Sequence, residues 1–325
     1  ISVGEGNLIS GSDSSSLIGG DDNEIKNSQF SIIGAGKGNL VTGSVYSSLM
    51  GGKQNAVNGL ASTLVGGQDN TITGDQSVLV GGNNNSVFGD GIVLVGGENN
   101  TASGEFVNLF AGQNNNISGT GCTIVAGRDN DIYEAEDSSI SAGFNHRISG
   151  SLNSSIIAGI DNRISQKYES YNNGLNIVKS YGTGNVIING SGQRISGSKY
   201  SYVAGGEGLR ITGSTGCAII VGRSNTVRLS NRSVIINGEM NGLRNCEDSW
   251  VAGRLNNIRT GVVQSAVAAG TYNSLSGCAN SVILGGTGNK IVDQYPVTNL
   301  GGDESFIGAG RIGGSLARNL SNSNY

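Results

Sequence analysis

Proline occurs once in 325 residues, at Pro296, and aromatic residues make up 5% of the chain. The 56 glycines therefore do not build a collagen-like triple helix, which needs a Gly-X-Y period and abundant proline. So little aromatic bulk does not fill a wide globular core. No run of about 18 apolar residues is present, so no helix spans a membrane. The four cysteines, Cys122, Cys217, Cys246 and Cys278, never fall in the same or adjacent repeats. They are expected to be buried thiols outside any disulfide. No Cys-x-x-Cys or Cys/His spacing marks a metal site. The single histidine, His146, sits in a repeat slot otherwise held by asparagine, and is read as doing the asparagine's job rather than serving a catalytic triad. A phosphate-binding loop needs a following helix, and no helix is evident. The chain lacks an initiator Met and opens at Ile1 inside a repeat-like segment, which reads as a mature product or an excised segment.

What the chain has instead is a repeat. Asn7, Asn23, Asn39, Asn55, Asn70, Asn85, Asn100, Asn115 and Asn130 fall 15 or 16 residues apart. His146, Asn162, Asn176, Gln193 and Leu209 continue the series, and Asn225, Asn241, Asn256, Asn273 and Asn289 complete 19 slots at a mean step of 15.7 residues. A period this short and persistent predicts a solenoid in which each coil stacks on the one before it. Within a repeat, Asn-x-Ile-x-Gly has one apolar residue between polar ones, the pattern of a strand buried on one face. The second strand carries an apolar doublet, as in Leu17-Ile18, Ile32-Ile33, Leu79-Val80, Leu94-Val95, Leu109-Phe110 and Trp250-Val251. Adjacent strand residues point to opposite faces. One member can fill the coil interior, and the other would make an apolar stripe that monomers rarely expose. A homotrimer is the expected remedy. Stacked asparagine amides are expected to bond to their neighbours above and below. Nineteen coils at roughly 4.8 Å each predict a rod on the order of 90 Å long.

The segments "NTASGEFVNLFAGQNNNISG" and "NTITGDQSVLVGGNNNSVFG" resemble the YadA-like head repeats of trimeric autotransporter adhesins, and the likeness extends over nearly all of residues 1–290. Similar repeats occur in phage tail fibres and spikes. The resemblance implies an all-β fold, a left-handed parallel β-roll with three chains around an axis, and a place on a cell surface or a virion tail. Residues 1–289 are assigned to the solenoid, with a loop insertion near 166–181, and 290–325 to a cap or connection.

Charge is unevenly spread. Residues 1–140 carry a net −11 and residues 141–325 a net +7. Such a dipole predicts end-to-end or antiparallel association into fibres. Two like-charged ladders stand out: Asp75, Asp90 and Glu105, and Arg228, Arg244 and Arg259, with Arg147/Arg163 and Arg194/Arg210 as further pairs. The arginines are candidates for an anionic ligand, a surface glycan or an acidic protein face. Asp129, Asp131, Glu134, Glu136 and Asp137 are expected to share one widened turn and are candidates for Ca²⁺, without the spacing of a known calcium loop; no other cofactor is expected. Tyr168, Tyr171 and Tyr181 mark the insertion as a candidate sugar or protein contact. The basic half lacks interleaved aromatics, which argues against nucleic acid. Thr-x-Thr occurs on the outward strand face only at Thr71/Thr73, too irregular for an ice-binding face like that of a plant antifreeze β-roll. A paired-carboxylate glycosidase site remains an alternative, as in tailspikes that cleave polysaccharide. The expected function is a non-enzymatic extracellular adhesive fibre, with a tailspike or an ice-binding solenoid as alternatives.

Overall fold

The computed structural model describes residues 3–165, 182–292 and 305–307. The chain divides into two compact units, Ile1–Asn153 and Ser154–Tyr325. Among the described residues there is no helix, and strands stack in parallel register as a β-solenoid.

One coil of the first unit shows how the sequence makes this shape. Glu24–Lys26 and Ile32–Ile33 are its strands. Asn23, Ile25, Ser28, Ser31 and Ile33 point inward and are fully or almost fully buried. Between the strands, Asn27 and Phe30 turn the chain, each at φ 49°. Ile25 pairs with Ile9 below and Val41 above, and Ile33 with Leu17 and Leu49. The interior is therefore one side chain deep, two aliphatic columns flanked by polar ones, and needs no aromatic bulk.

The drift between 15 and 16 residues has a structural cause. In the 15-residue coils between Asn85 and Asn130 the first strand runs through the corner, as in Ser86–Asp90, Thr101–Glu105 and Asn116–Thr120. Gly89 then stands where Ser28 stands in the longer coil. A Cβ on Gly89 would overlap the carbonyl of Gly104 in the next coil, so only glycine fits the straightened corner.

Three polar columns line the interior. In the asparagine column, Asn100 Oδ1 accepts from the backbone N–H of Asn115 at 3.0 Å, while its Nδ2 donates to Asn85 Oδ1 at 3.1 Å and to the Gly112 carbonyl at 3.0 Å. Two serine columns work the same way. Ser47, Ser62 and Ser77 form one, each hydroxyl accepting the backbone N–H of the next coil at 3.1–3.2 Å. Ser198, Ser214 and Ser230 belong to the other, which passes to Cys246 by a 3.3 Å bond from its backbone N–H. His146 keeps the asparagine slot, its backbone N–H donating to Asn130 Oδ1 at 3.0 Å.

The doublets divide as expected, one residue in and one out, but not always in the same order. Leu64, Leu79, Leu94, Leu109 and Ile124 have no exposed surface, while Val65, Val80, Val95, Phe110 and Val125 are 36–46% exposed. In Ile32-Ile33 and Trp250-Val251 the second residue is the buried one, because the ladder register aligns Leu17 with Ile33 and Ile235 with Val251.

The asparagine column also corrects the coil count. Asn162 Oδ1 accepts from the Gln193 backbone N–H at 3.1 Å, and Arg163–Ser165 pairs directly with Arg194–Ser196. The column passes from Asn162 to Gln193 in one step, and Asn176 lies outside the described residues. The two units together contain about 17 turns rather than 19. The segment from 290 onward partly continues the sheets: Lys290–Val292 pairs with Ser274–Ser276, and Ser305–Ile307 with Ser281–Ile283.

Candidate functional site

The residues flanking each buried aliphatic of the first strand project outward by strand alternation. In the second unit this places arginine on one sheet face six times. Arg163 pairs with Arg194 and Arg194 with Arg210 on one flank. Arg228 pairs with Arg244 and Arg244 with Arg259 on the other. The first column is invisible as a triplet in the sequence, because the 166–181 insertion separates Arg163 from Arg194. Arg147 differs from these six in having an ion-pair partner. It lies in the first unit, where Asp131 holds it at 3.3 Å.

All six arginines are exposed. Among the described residues none of the six forms an ion pair, whereas Arg128, Arg147, Arg223, Arg232 and Arg254 all do. The contrast is sharpest on a neighbouring side of the same coils. There Glu207, Arg223, Glu239 and Arg254 bridge in sequence, so charges alternate coil by coil. Arg223 meets Glu207 at 3.5 Å and Arg254 meets Glu239 at 3.1 Å. The fold can neutralise a charge ladder, and on the arginine face it does not. Across the buried aliphatic from each arginine stand Ser165, Ser196, Thr212, Thr226, Gly242 and Asn257, none of them a carboxylate or an aromatic residue. Like charges at one coil's spacing repel by about 0.9 kcal/mol per neighbouring pair in water before salt screening.

The acidic ladder has a different explanation. Asp75 Oδ1 accepts from the backbone N–H of Leu60 at 2.8 Å, and Asp90 Oδ1 from that of Asp75 at 2.9 Å. These carboxylates tie coils together. The acidic cluster does not share one turn as expected. Asp129 sits at the corner before Asn130 and meets Arg128 at 3.5 Å, Asp131 lies on the strand against Arg147, and Glu134, Glu136 and Asp137 are exposed around the inward-facing Ala135. Strand alternation and the bulge at Glu134, φ 48°, disperse them. Among the described residues no group of three or more His, Cys, Asp or Glu is placed to hold a metal ion. Tyr168, Tyr171 and Tyr181 lie outside the described residues.

The cysteines replace serines in the inner columns. All four are buried. Burial pushes the thiols of Cys122 and Cys217 up, and that of Cys246 up to about 11 from an ordinary value of 9.0. The unfolded chain then releases these protons first, so the stabilisation is intact below about pH 9 and lost as pH rises toward 11. A thermal melt followed across this window should show a steady fall in stability, and Cys246→Ser should make that fall shallower while Cys122 and Cys217 keep their share. Thiol reagents at neutral pH should label the native protein only after unfolding.

No family model and no curated protein sequence matches the chain. Among solved structures it is similar to the crystal structure of the polySia specific acetyltransferase NeuO, at 13% identity over 71% of this chain and 79% of that one, with a TM-score of 0.14. A likeness at that level carries no argument.

Proposed function

We propose that this chain is a non-enzymatic segment of an extracellular adhesive fibre, on a cell surface or a virion tail, in which three copies pack through the outward face of the doublet strands. The observation that carries this reading is the apolar column Val65, Val80, Val95, Phe110 and Val125, 36–46% exposed in consecutive coils of the first unit. In the second unit Ile157, Ile220, Ile236 and Leu284 face outward at 41–46%. Isolated exposed apolar residues are ordinary, but an unbroken column at one coil's spacing forms a contiguous patch of the kind that marks an interface. The YadA-like resemblance of the repeats supports three copies in particular. Among the described residues the coil interior is filled by stacked aliphatic, asparagine and serine columns, which supports a structural role. The irregular outward face, with Ser86/Phe88 beside Thr71/Thr73, gives ice no flat threonine array.

Light scattering on the purified chain should give three times the 33.1 kDa chain mass at micromolar concentration. A stable monomer under those conditions overturns the proposal.

A further inference from the structure

Among the described residues none of the six arginines on this face of the second unit forms an ion pair, and the geometry of the face points to a ligand. We infer that the face binds an acidic polysaccharide carrying one carboxylate per sugar, laid along the stacking direction of the coils, and this rests on the adhesive-fibre reading. Three features select that class.

The first is spacing. Arg163, Arg194 and Arg210 follow one another at single-coil steps, as do Arg228, Arg244 and Arg259. The step is about 4.8 Å, the distance between adjacent strands. An extended uronic acid polymer advances by a similar distance per sugar, so one carboxylate can meet one guanidinium in each coil. Guanidinium presents paired donors that match a carboxylate.

The second is the company the arginines keep. Arg210 shares its strand face with Thr212, Arg228 with Thr226, and Arg259 with Asn257. Each such coil therefore offers a cation and a short hydrogen-bonding side chain two residues apart, which suits a sugar that carries both a carboxylate and hydroxyls. Ser165 and Ser196 instead bond to each other at 3.3 Å.

The third is what the face lacks. Single-stranded nucleic acid binding relies on aromatic rings that stack with bases, and none of the outward positions flanking these arginines is aromatic. Among the described residues, none of the positions flanking the buried aliphatics of these strands is a carboxylate.

The test uses the full chain, with its oligomeric state measured in the same buffer. Polygalacturonate is titrated at low and physiological salt, beside its methyl-esterified form and single-stranded DNA. Two triple variants are compared, R163Q/R194Q/R210Q and R228Q/R244Q/R259Q. The parent should bind polygalacturonate, more weakly at higher salt, and should not bind the esterified polymer. Each triple variant should lose at least tenfold in affinity with an unchanged circular dichroism spectrum, because these side chains lie outside the core. Absence of binding by the parent, or triple variants that bind as it does, overturns the inference; so does DNA binding at equal or higher affinity. A trimer that fails to bind removes only this inference, whereas a monomer that binds removes only the trimeric reading.

Discussion

Leu94→Asp is expected to unfold the coils around it, while Val95→Asp keeps the coil and abolishes self-association. The two residues are adjacent and both apolar, and differ only in the face they occupy. Leu94 has no exposed surface and stacks in register between Leu79 and Leu109. A carboxylate there has no cation to meet in a column of aliphatic side chains. Removing a buried leucine costs about 2–5 kcal/mol, and an unpaired buried charge adds several more unless it is neutralised. That exceeds what nearest-neighbour contacts restore in a solenoid, where each coil touches only those beside it. Val95 is 36% exposed already, so an aspartate there is solvated in the isolated chain. In an assembly that buries the column, the same aspartate is desolvated in every copy. Circular dichroism and light scattering together separate the outcomes. The L94D chain should lose strand signal, and the V95D chain should keep it at the mass of one copy. Persistent trimers in V95D would place the interface elsewhere.

The architecture was legible because a solenoid repeats its constraints. One asparagine per coil and one aliphatic per first strand recur often enough that Ile25 and Val87 could be assigned to the interior from spacing alone, whereas spacing does not tell Leu94 from Val95. The serine columns were not legible. Serine is common in turns for several local reasons, and Ser31 or Ser47 looks like any turn residue until the next coil is placed against it. The burial of the cysteines outside any disulfide was expected and holds, but the serine columns they occupy were hidden for the same reason. The order within a doublet depends on register, which the sequence of Ile32-Ile33 or Trp250-Val251 does not carry. The arginine face was half legible. Arg228, Arg244 and Arg259 recur at the coil period. Arg163 joins Arg194 and Arg210 only once the insertion is taken out of the period. The lack of ion partners on that face, and the reuse of Asp75 and Asp90 as acceptors for backbone N–H groups, are facts of three dimensions.

Asn100→Ala is expected to be among the most destabilising truncations of a polar residue in the first unit, although it removes no hydrophobic contact of note. The side chain is fully buried. Its loss leaves the backbone N–H of Asn115 without the acceptor it has at 3.0 Å, and takes away the donor that serves Asn85 Oδ1 and the Gly112 carbonyl. A buried polar group deprived of its partner costs about 1–3 kcal/mol. Asn85 Oδ1 keeps the backbone N–H of residue 100 at 3.0 Å and the Gly112 carbonyl keeps that of Glu98 at 3.0 Å, so the unpaired Asn115 N–H dominates and a total of about 1–3 kcal/mol follows. Asn83→Ala provides the control. Asn83 is exposed, and its part in the stack is a bridge to Gln68 and Glu98 that alanine can also make. Its cost should stay within about 0.5 kcal/mol. Urea unfolding measures the totals, and hydrogen exchange at the Asn115 amide locates them. That amide should exchange far faster in the Asn100→Ala chain than in the parent, while amides several coils away change little, because a solenoid transmits stability from neighbour to neighbour. Equal protection of Asn115 in both proteins would mean that another acceptor replaces the amide, and that the asparagine column is dispensable to the stack.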